Sequence, residues 1–460
     1  MESLNNDVLI YMATRFLSLY EKIAFMQVCK QFYNLGPSLF TTDVIEYTKE
    51  NKDWLCKYKA RIEVGDLEYV NVPNIHTLRL INQNLTNIPI NTSLYNLDVL
   101  DNKIVHVSRS INTMVNLHTL DLGYNCITDI PDTIVDLKNL YYLNLSNNFI
   151  KELPPTLYEL HSLEILELDD NALEHVPNLP INLVYFSAAD NKIVDLPENF
   201  NELVHLDQLY LNNNKLTSLP SLCGLKKLTI LNLSNNSLIE LPSLPPTLNE
   251  LDVSHNQLRT LPSCIGDLTN LEILTCSNNA FKCLPNTLYK LENLVQFDVS
   301  FNTLKQLPRL PDSIEYFYMS HNYISVISQR LDNLKILIAR KNELVNFPIC
   351  IQAIEIDLSL NKLVTIPSDV YKLQQLKSLD LHSNYLTDLP TEIGALVNLT
   401  FLDLSHNELT CLQHKHVYKL GHLQRLNLSW NPITTLPKHI KYMSRTVVDV
   451  TGTFDRLLYI

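Results

Sequence analysis

The side chains best able to hold a metal or relay a proton gather once in this chain, at Cys411, His414, His416 and His422. Zinc sites use these ligand types at characteristic spacings. The spacing here fits none of them, and the run falls in a turn region. The rest of the 14 histidines are scattered over surface positions of different repeats, and no glycine-rich phosphate loop or nucleophile elbow occurs. The pattern predicts no catalytic residue, no metal and no cofactor, and a protein that is not an enzyme.

Carboxylates follow a different rule. Asp98, Asp121, Glu167, Asp252, Asp298, Asp357, Asp380 and Asp403 recur at one position of a repeated frame, and the plain reading of such a column is a solvated face. That polar lining is broken twice. Tyr142, Ile165, Tyr185 and Tyr210 come from adjacent repeats, and Phe301, Tyr316, Tyr318, Ile336 and Ile338 form a second island flanked by the basic pair Arg340 and Lys341. Exposed aromatic and arginine clusters are what binding hot spots are made of, and contiguous apolar surface marks interaction sites. The two islands, with Arg340, are therefore the candidate target-binding residues. Lateral packing between large side chains of neighbouring strands is the other reading of both.

These residues are positioned by a frame, L-x-x-L-x-L-x-x-N-x-L-x-x-L, that occurs seventeen times between residues 75 and 437. Its asparagine stands at Asn102, Asn125, Asn148, Asn171, Asn191, Asn214, Asn236, Asn256, Asn279, Asn302, Asn322, Asn342, Asn361, Asn384, Asn407 and Asn431, with Gln83 in the first copy. The first half of a unit, such as LNLSNN at 143 to 148, alternates apolar and polar residues with the period of a half-buried strand. In the second half, PDTIVDLKNL at 131 to 140 puts Ile134, Leu137 and Leu140 three apart, which suits a 3₁₀-like turn. One unit cannot enclose its own apolar face, whereas stacked units can. The asparagine amide carries both donors and acceptors, so units in register can satisfy the backbone groups left unpaired where the chain turns. Glutamine has the same groups on a longer stem, and the first unit reads as imperfect but real.

Steps of 19 to 24 residues between frame sites resemble leucine-rich repeats. The resemblance implies an α/β solenoid of about 17 repeats with a curved parallel sheet, its strand positions facing a hollow. The 23-residue units resemble intracellular scaffold and plant-type repeats, and the shorter ones those of certain bacterial effectors. Two close prolines in PNLPINL at 177 to 183, PSLPPTL at 242 to 248 and PRLPDSI at 308 to 314 favour extended segments over helical turns. The outer side should be thinner there. These connections recur three units apart, as duplication of a three-repeat block would leave them.

The first forty residues break the frame. Asn5, Asn6 or Asp7 can cap a helix with Val8, Met12 and Phe16 along one face, in amphipathic spacing. A second helix carries Phe25, Val28, Cys29 and Phe32 and ends at Gly36-Pro37, where the breakers stand. A third helical stretch is expected from about 38 to 58. Over residues 4 to 35 the chain resembles an F-box, through Leu4, Asp7, Val8, Leu9, Phe16, Leu17, Leu19, Ile23, Val28, Cys29, Lys30, Phe32 and Tyr33. Where that family commonly has Leu-Pro, this chain has Leu4-Asn5. The resemblance implies a small all-α domain that docks a Skp-type adaptor, and through it a cullin complex, using Leu4, Asp7, Val8, Leu9, Phe16, Leu17, Val28, Cys29, Lys30 and Phe32. The other reading is a plain cap over the open end of the solenoid. The expected organisation is an F-box-like domain at 1–45, a linker and cap at 46–74, repeats at 75–437 and a C-terminal cap at 438–460, where Val447, Val448 and Val450 could pair onto the last repeat.

A formal charge of −13 argues against nucleic acid and anionic membrane, which need a basic face. No signal-like apolar run opens the chain and none is long enough to span a bilayer. Nine scattered cysteines form no disulfide framework, so an intracellular, cytoplasmic location is expected. Abundant Asn, Ile, Lys and Tyr, together with the F-box and repeats, resemble proteins of giant DNA viruses of amoebae (mimivirus-like), which would imply the host cytoplasm. Two readings of function stand: substrate recognition for an SCF-type ubiquitin ligase, with an unknown protein target, or a ligase-independent scaffold or host-directed effector.

Overall fold

The computed structural model describes residues 44–46, 61–64, 75–412, 419–434, 436 and 446–453. The F-box-like segment and the ten residues expected to dock an adaptor lie outside the described residues, as do His414 and His416. The chain divides into two compact units, Met1–Leu209 and Tyr210–Ile460. Among the described residues, each is a parallel-sheet solenoid with few helices.

In the first unit, the strands Ile75–Arg79, Asn96–Asp98, Thr119–Asp121, Tyr142–Asn144, Ile165–Glu167 and Tyr185–Ser187 each pair in parallel with the next. Two further strands precede them. Val44–Glu46 pairs with Arg61–Val64, which pairs with Ile75–Arg79 across a bulge. Strand therefore stands at 44–46, within the stretch where a third helix was expected. In the second unit, parallel pairing runs from Ile230–Asn232 through ten successors to Val447–Asp449. The last of these places Val447–Asp449 on the strand Arg425–Asn427, so the expected C-terminal pairing forms.

The short strands follow from the alternation. In most, the central residue is buried and its neighbours are half-exposed, because successive side chains point to opposite faces. The core behind is leucine with some phenylalanine: Phe297 stacks on Phe317 at 5.5 Å in the second unit, and Phe186 meets Phe200 at 6.2 Å in the first.

The frame asparagines form the expected ladder. Asn361 is buried; its Nδ2 donates to the carbonyls of Ala339, Leu358 and Ser359 at 2.9, 3.0 and 3.1 Å. Its Oδ1 accepts from the Leu344 N–H at 3.0 Å. One side chain thus holds two turns together and completes its own. Gln83 does not take this role: it is exposed, and among the described residues its Nε2 donates to Ile81 O alone, at 3.2 Å. The longer stem carries the amide past the interior position, and Asn102 of the next turn accepts from Gln83 N and Leu85 N.

On the outer side, 3₁₀ segments such as Asp132–Asp136 form where expected, behind a proline in extended conformation. The Ile134 N–H bonds Pro131 O and the Leu137 N–H bonds Ile134 O. The three two-proline connections contain no 3₁₀ segment. Where 3₁₀ turns stack they approach closely: a Cβ on Gly266 would lie 2.5 Å from Thr287 O.

Candidate functional site

The residue before each frame asparagine adopts a left-handed conformation, as at Phe301 (φ 54°), His321 (φ 56°), Lys341 (φ 55°) and Leu360 (φ 55°). For a non-glycine residue this costs roughly 1–2 kcal/mol. It is held because each N–H points along the stack: Phe301 N donates to Ser320 O at 2.7 Å and Lys341 N to Ser359 O at 2.9 Å. This row forms the edge of the sheet. Phe301 and Lys341 therefore stand on that edge and not on the strand face, where the alternation alone had grouped them with the second island. Phe301 is 47% exposed and stacks on His321 at 4.1 Å, a partner that the strand pattern does not reveal. The signal that finds it is the fixed position before each frame asparagine.

The strand face of the second unit brings together the rest of that island. Register pairs Gln296, Tyr316, Ile336 and Glu355 in one row and Asp298, Tyr318, Ile338 and Asp357 in the next. Tyr316, Tyr318, Ile336 and Ile338 are thus a contiguous, half-exposed apolar block where the acidic column is interrupted. Phe317 and Leu337 between them are fully buried and fix the block to the core. Arg340 is exposed beside it, in a position that neighbouring repeats fill with Ser320 and Ser359. Among the described residues, neither the Tyr316 nor the Tyr318 hydroxyl has a hydrogen-bond partner.

The surroundings of this block are ionic but neutralised on one side only. Glu315 and Lys335 are bonded to each other at 2.5 Å. Among the described residues Asp298 makes no ion pair; burial raises the pKa of its carboxyl, opposed by hydrogen bonds from the Ser300 N–H and from side chains. Burial, then the charges of Asp298 and Glu355, push the Tyr318 phenol up. Burial and then Lys341 and Arg340 lower His321, so the ring stacked on Phe301 favours its neutral form.

The first unit contains Tyr142, Ile165 and Tyr185, aligned strand to strand; Tyr210 belongs to the second unit. Tyr142 is committed internally, its hydroxyl donating to Glu167 Oε2 at 3.2 Å. Asn144 Nδ2 donates to Asp121 Oδ1 at 3.0 Å, and Ser187 Oγ and Ala189 N both donate to Asp169 Oδ1. Burial raises the pKa of Asp121, Glu167 and Asp169 first of all, with neighbouring carboxylates adding to it. This polar network suits lateral packing, and it sets the first island apart from the second.

Among the described residues, no group of three or more His, Cys, Asp or Glu side chains could hold a metal ion. The described cysteines are free, and Cys276 and Cys350 lie buried, with thiols raised by burial. No described helix is long and apolar enough to cross a membrane.

Comparison with known proteins agrees with the repeat geometry. Models of the leucine-rich repeat match residues 92–150, 354–409 and 374–433, with two-copy and single-copy models matching 204–246 and 247–268. No curated protein matches the chain. Among solved structures, it is similar to a leucine-rich repeat protein of Leptospira interrogans at 29% identity, covering 86% of this chain and 95% of that one, with a TM-score of 0.66. It is similar to YopM of Yersinia enterocolitica at 27% identity, covering 80% and 81%, with a TM-score of 0.64. The Arabidopsis receptor kinase HAESA, solved with the peptide hormone IDA and the co-receptor SERK1, shares the fold at 21% identity, with 89% and 76% covered and a TM-score of 0.61. By its frame, its asparagine ladder and these matches, the described chain carries a leucine-rich repeat solenoid.

Proposed function

We propose that this protein is a substrate-recognition subunit of an SCF-type ubiquitin ligase, whose repeats capture a protein target while the F-box-like segment docks a Skp-type adaptor and its cullin. The observation that carries the capture half is the block of Tyr316, Tyr318, Ile336 and Ile338, half-exposed on a strand face between carboxylates. A solvated sheet face has no need of four such side chains, and aromatic residues beside an arginine suit a binding hot spot. The ligase half rests on the F-box resemblance of residues 4 to 35.

The test is copurification. Full-length chain expressed in eukaryotic cells should bring down a Skp-type adaptor and a cullin, and Leu9→Asp with Phe16→Asp should lose both while the repeats still fold. Retention of both by that variant, or their absence from the wild-type eluate, overturns the ligase reading. Absence with target capture intact favours the second reading, a ligase-independent scaffold or host-directed effector, which the same apolar block supports.

A further inference from the structure

The apolar block has an anionic residue one strand to either side. In one row the order is Asp298, Tyr318, Ile338, Asp357, each aligned with the next. Two more carboxylates, Asp380 and Asp403, continue that row, and Glu355 stands beside Ile336 in the other. The cations nearby are placed differently. Lys335 is bonded to Glu315, Lys341 stands on the left-handed edge, and Arg340 lies beyond the strand, between the two.

Spacing then selects a ligand shape. Neighbouring strands lie about 4.8 Å apart, so Asp298 and Asp357, three strands apart in the stack, are separated by roughly 14 Å. A chain in extended conformation advances about 3.3 Å per residue, and its residues i, i+2 and i+4 point to one side. Four residues cover about 13 Å, close to the carboxylate separation. An extended segment lying along the stack would thus set residues i and i+4 over the two aspartates and residue i+2 over Tyr318 and Ile338.

Building on the capture reading above, we propose that this face takes an extended segment of a partner protein that carries a large apolar residue with a lysine or arginine two positions to each side. The apolar residue covers Tyr318 and Ile338, and the two cations meet Asp298 and Asp357. Complementary charge of this kind fixes register and rejects wrong partners. A segment with acidic flanks would set two like-charge pairs against the same aspartates.

The test uses full-length protein and fluorescent nonapeptides with a Gly/Ser frame around Lys-Ser-Leu-Ser-Lys, Glu-Ser-Leu-Ser-Glu, Lys-Ser-Ser-Ser-Lys or Lys-Leu-Lys, read by anisotropy. The first should bind at least about tenfold tighter than each of the others, from charge matching and apolar contact. Asp298→Asn with Asp357→Asn should remove most of that preference, since asparagine can still accept from the Ser300 N–H as Asp298 does. Asp298→Lys with Asp357→Lys should invert it towards the acidic peptide, with circular dichroism confirming that both variants fold. Equal binding of basic and acidic peptides, a preference unmoved by the charge swap, or no binding of the Lys-Ser-Leu-Ser-Lys peptide overturns the inference. The capture reading fails separately, when host proteins held by the full chain remain bound after the apolar block is removed.

Discussion

At the scale of single residues, Asp298, which flanks the apolar block, stabilises less than it would as a solvated group. Asp298 is drawn partly out of water, and burial is the first cause of its raised pKa. A carboxyl whose folded pKa exceeds its unfolded value makes the folded state bind more protons between the two values, so that stability falls as pH rises through that window. At neutral pH the charged form carries the whole cost. Asp298→Asn keeps an acceptor for Ser300 N and removes the charge, so its melting temperature should exceed that of the wild type at pH 7. The gain should shrink as pH falls from the raised folded value towards about 3.9, the unfolded value. Thermal melts across this range check the sign; a variant less stable than wild type at pH 7, or a gain that grows on acidification, would contradict it. The acidic column itself was legible from sequence as a repeat position. Its partial burial was not, because desolvation depends on the neighbours across the sheet, and Tyr318 and the strand behind supply them.

At the scale of the element, the asparagine ladder is what turns a leucine pattern into a stack. Sequence showed the position and the chemistry; the structure adds that each amide spans two turns, as Asn361 does between Leu344 N and Ala339 O. Asn361→Ala would leave a buried N–H without its partner, and an orphaned buried group costs about 1–3 kcal/mol. We expect a loss of about 3 kcal/mol in urea unfolding once the carbonyl contacts are included, and an unchanged midpoint would mean that the ladder does not hold adjacent turns. The 3₁₀ segments and their absence from the two-proline connections were legible for a comparable reason, since proline restricts the backbone locally. The left-handed row was legible only in part. Asn and Asp, which accept this conformation more readily than other side chains, hold it at Asp101, Asn147, Asp170 and Asn278, but Lys341, Leu360 and Trp430 hold it too. Hydrogen bonds along the stack impose it, and for that reason Phe301 and Lys341 moved from the expected face to the edge.

At the scale of the molecule, the chain is acidic, of charge −13; among its described residues the Tyr316 and Tyr318 hydroxyls of the second unit have no hydrogen-bond partner, whereas the Tyr142 hydroxyl of the first is bonded to Glu167. Long-range attraction would favour a basic partner, and under the proposed capture the local block would supply the specificity that net charge lacks. The repeat frame made the fold legible over most of the chain because periodicity is a sequence property. The division between the two islands was legible only in part: both show the same residue types, and what separates them is whether a phenol finds a neighbouring carboxylate. Under the proposed function, the face bearing Tyr316, Tyr318 and Ile338 captures a protein. The direct measurement is quantitative mass spectrometry of proteins held by full-length chain and by its Tyr316→Ser, Tyr318→Ser, Ile338→Ser variant, matched for folding by thermal melt. The variant should lose the captured target while keeping its fold; capture of the same proteins at the same yield would mean that this face does not hold the target.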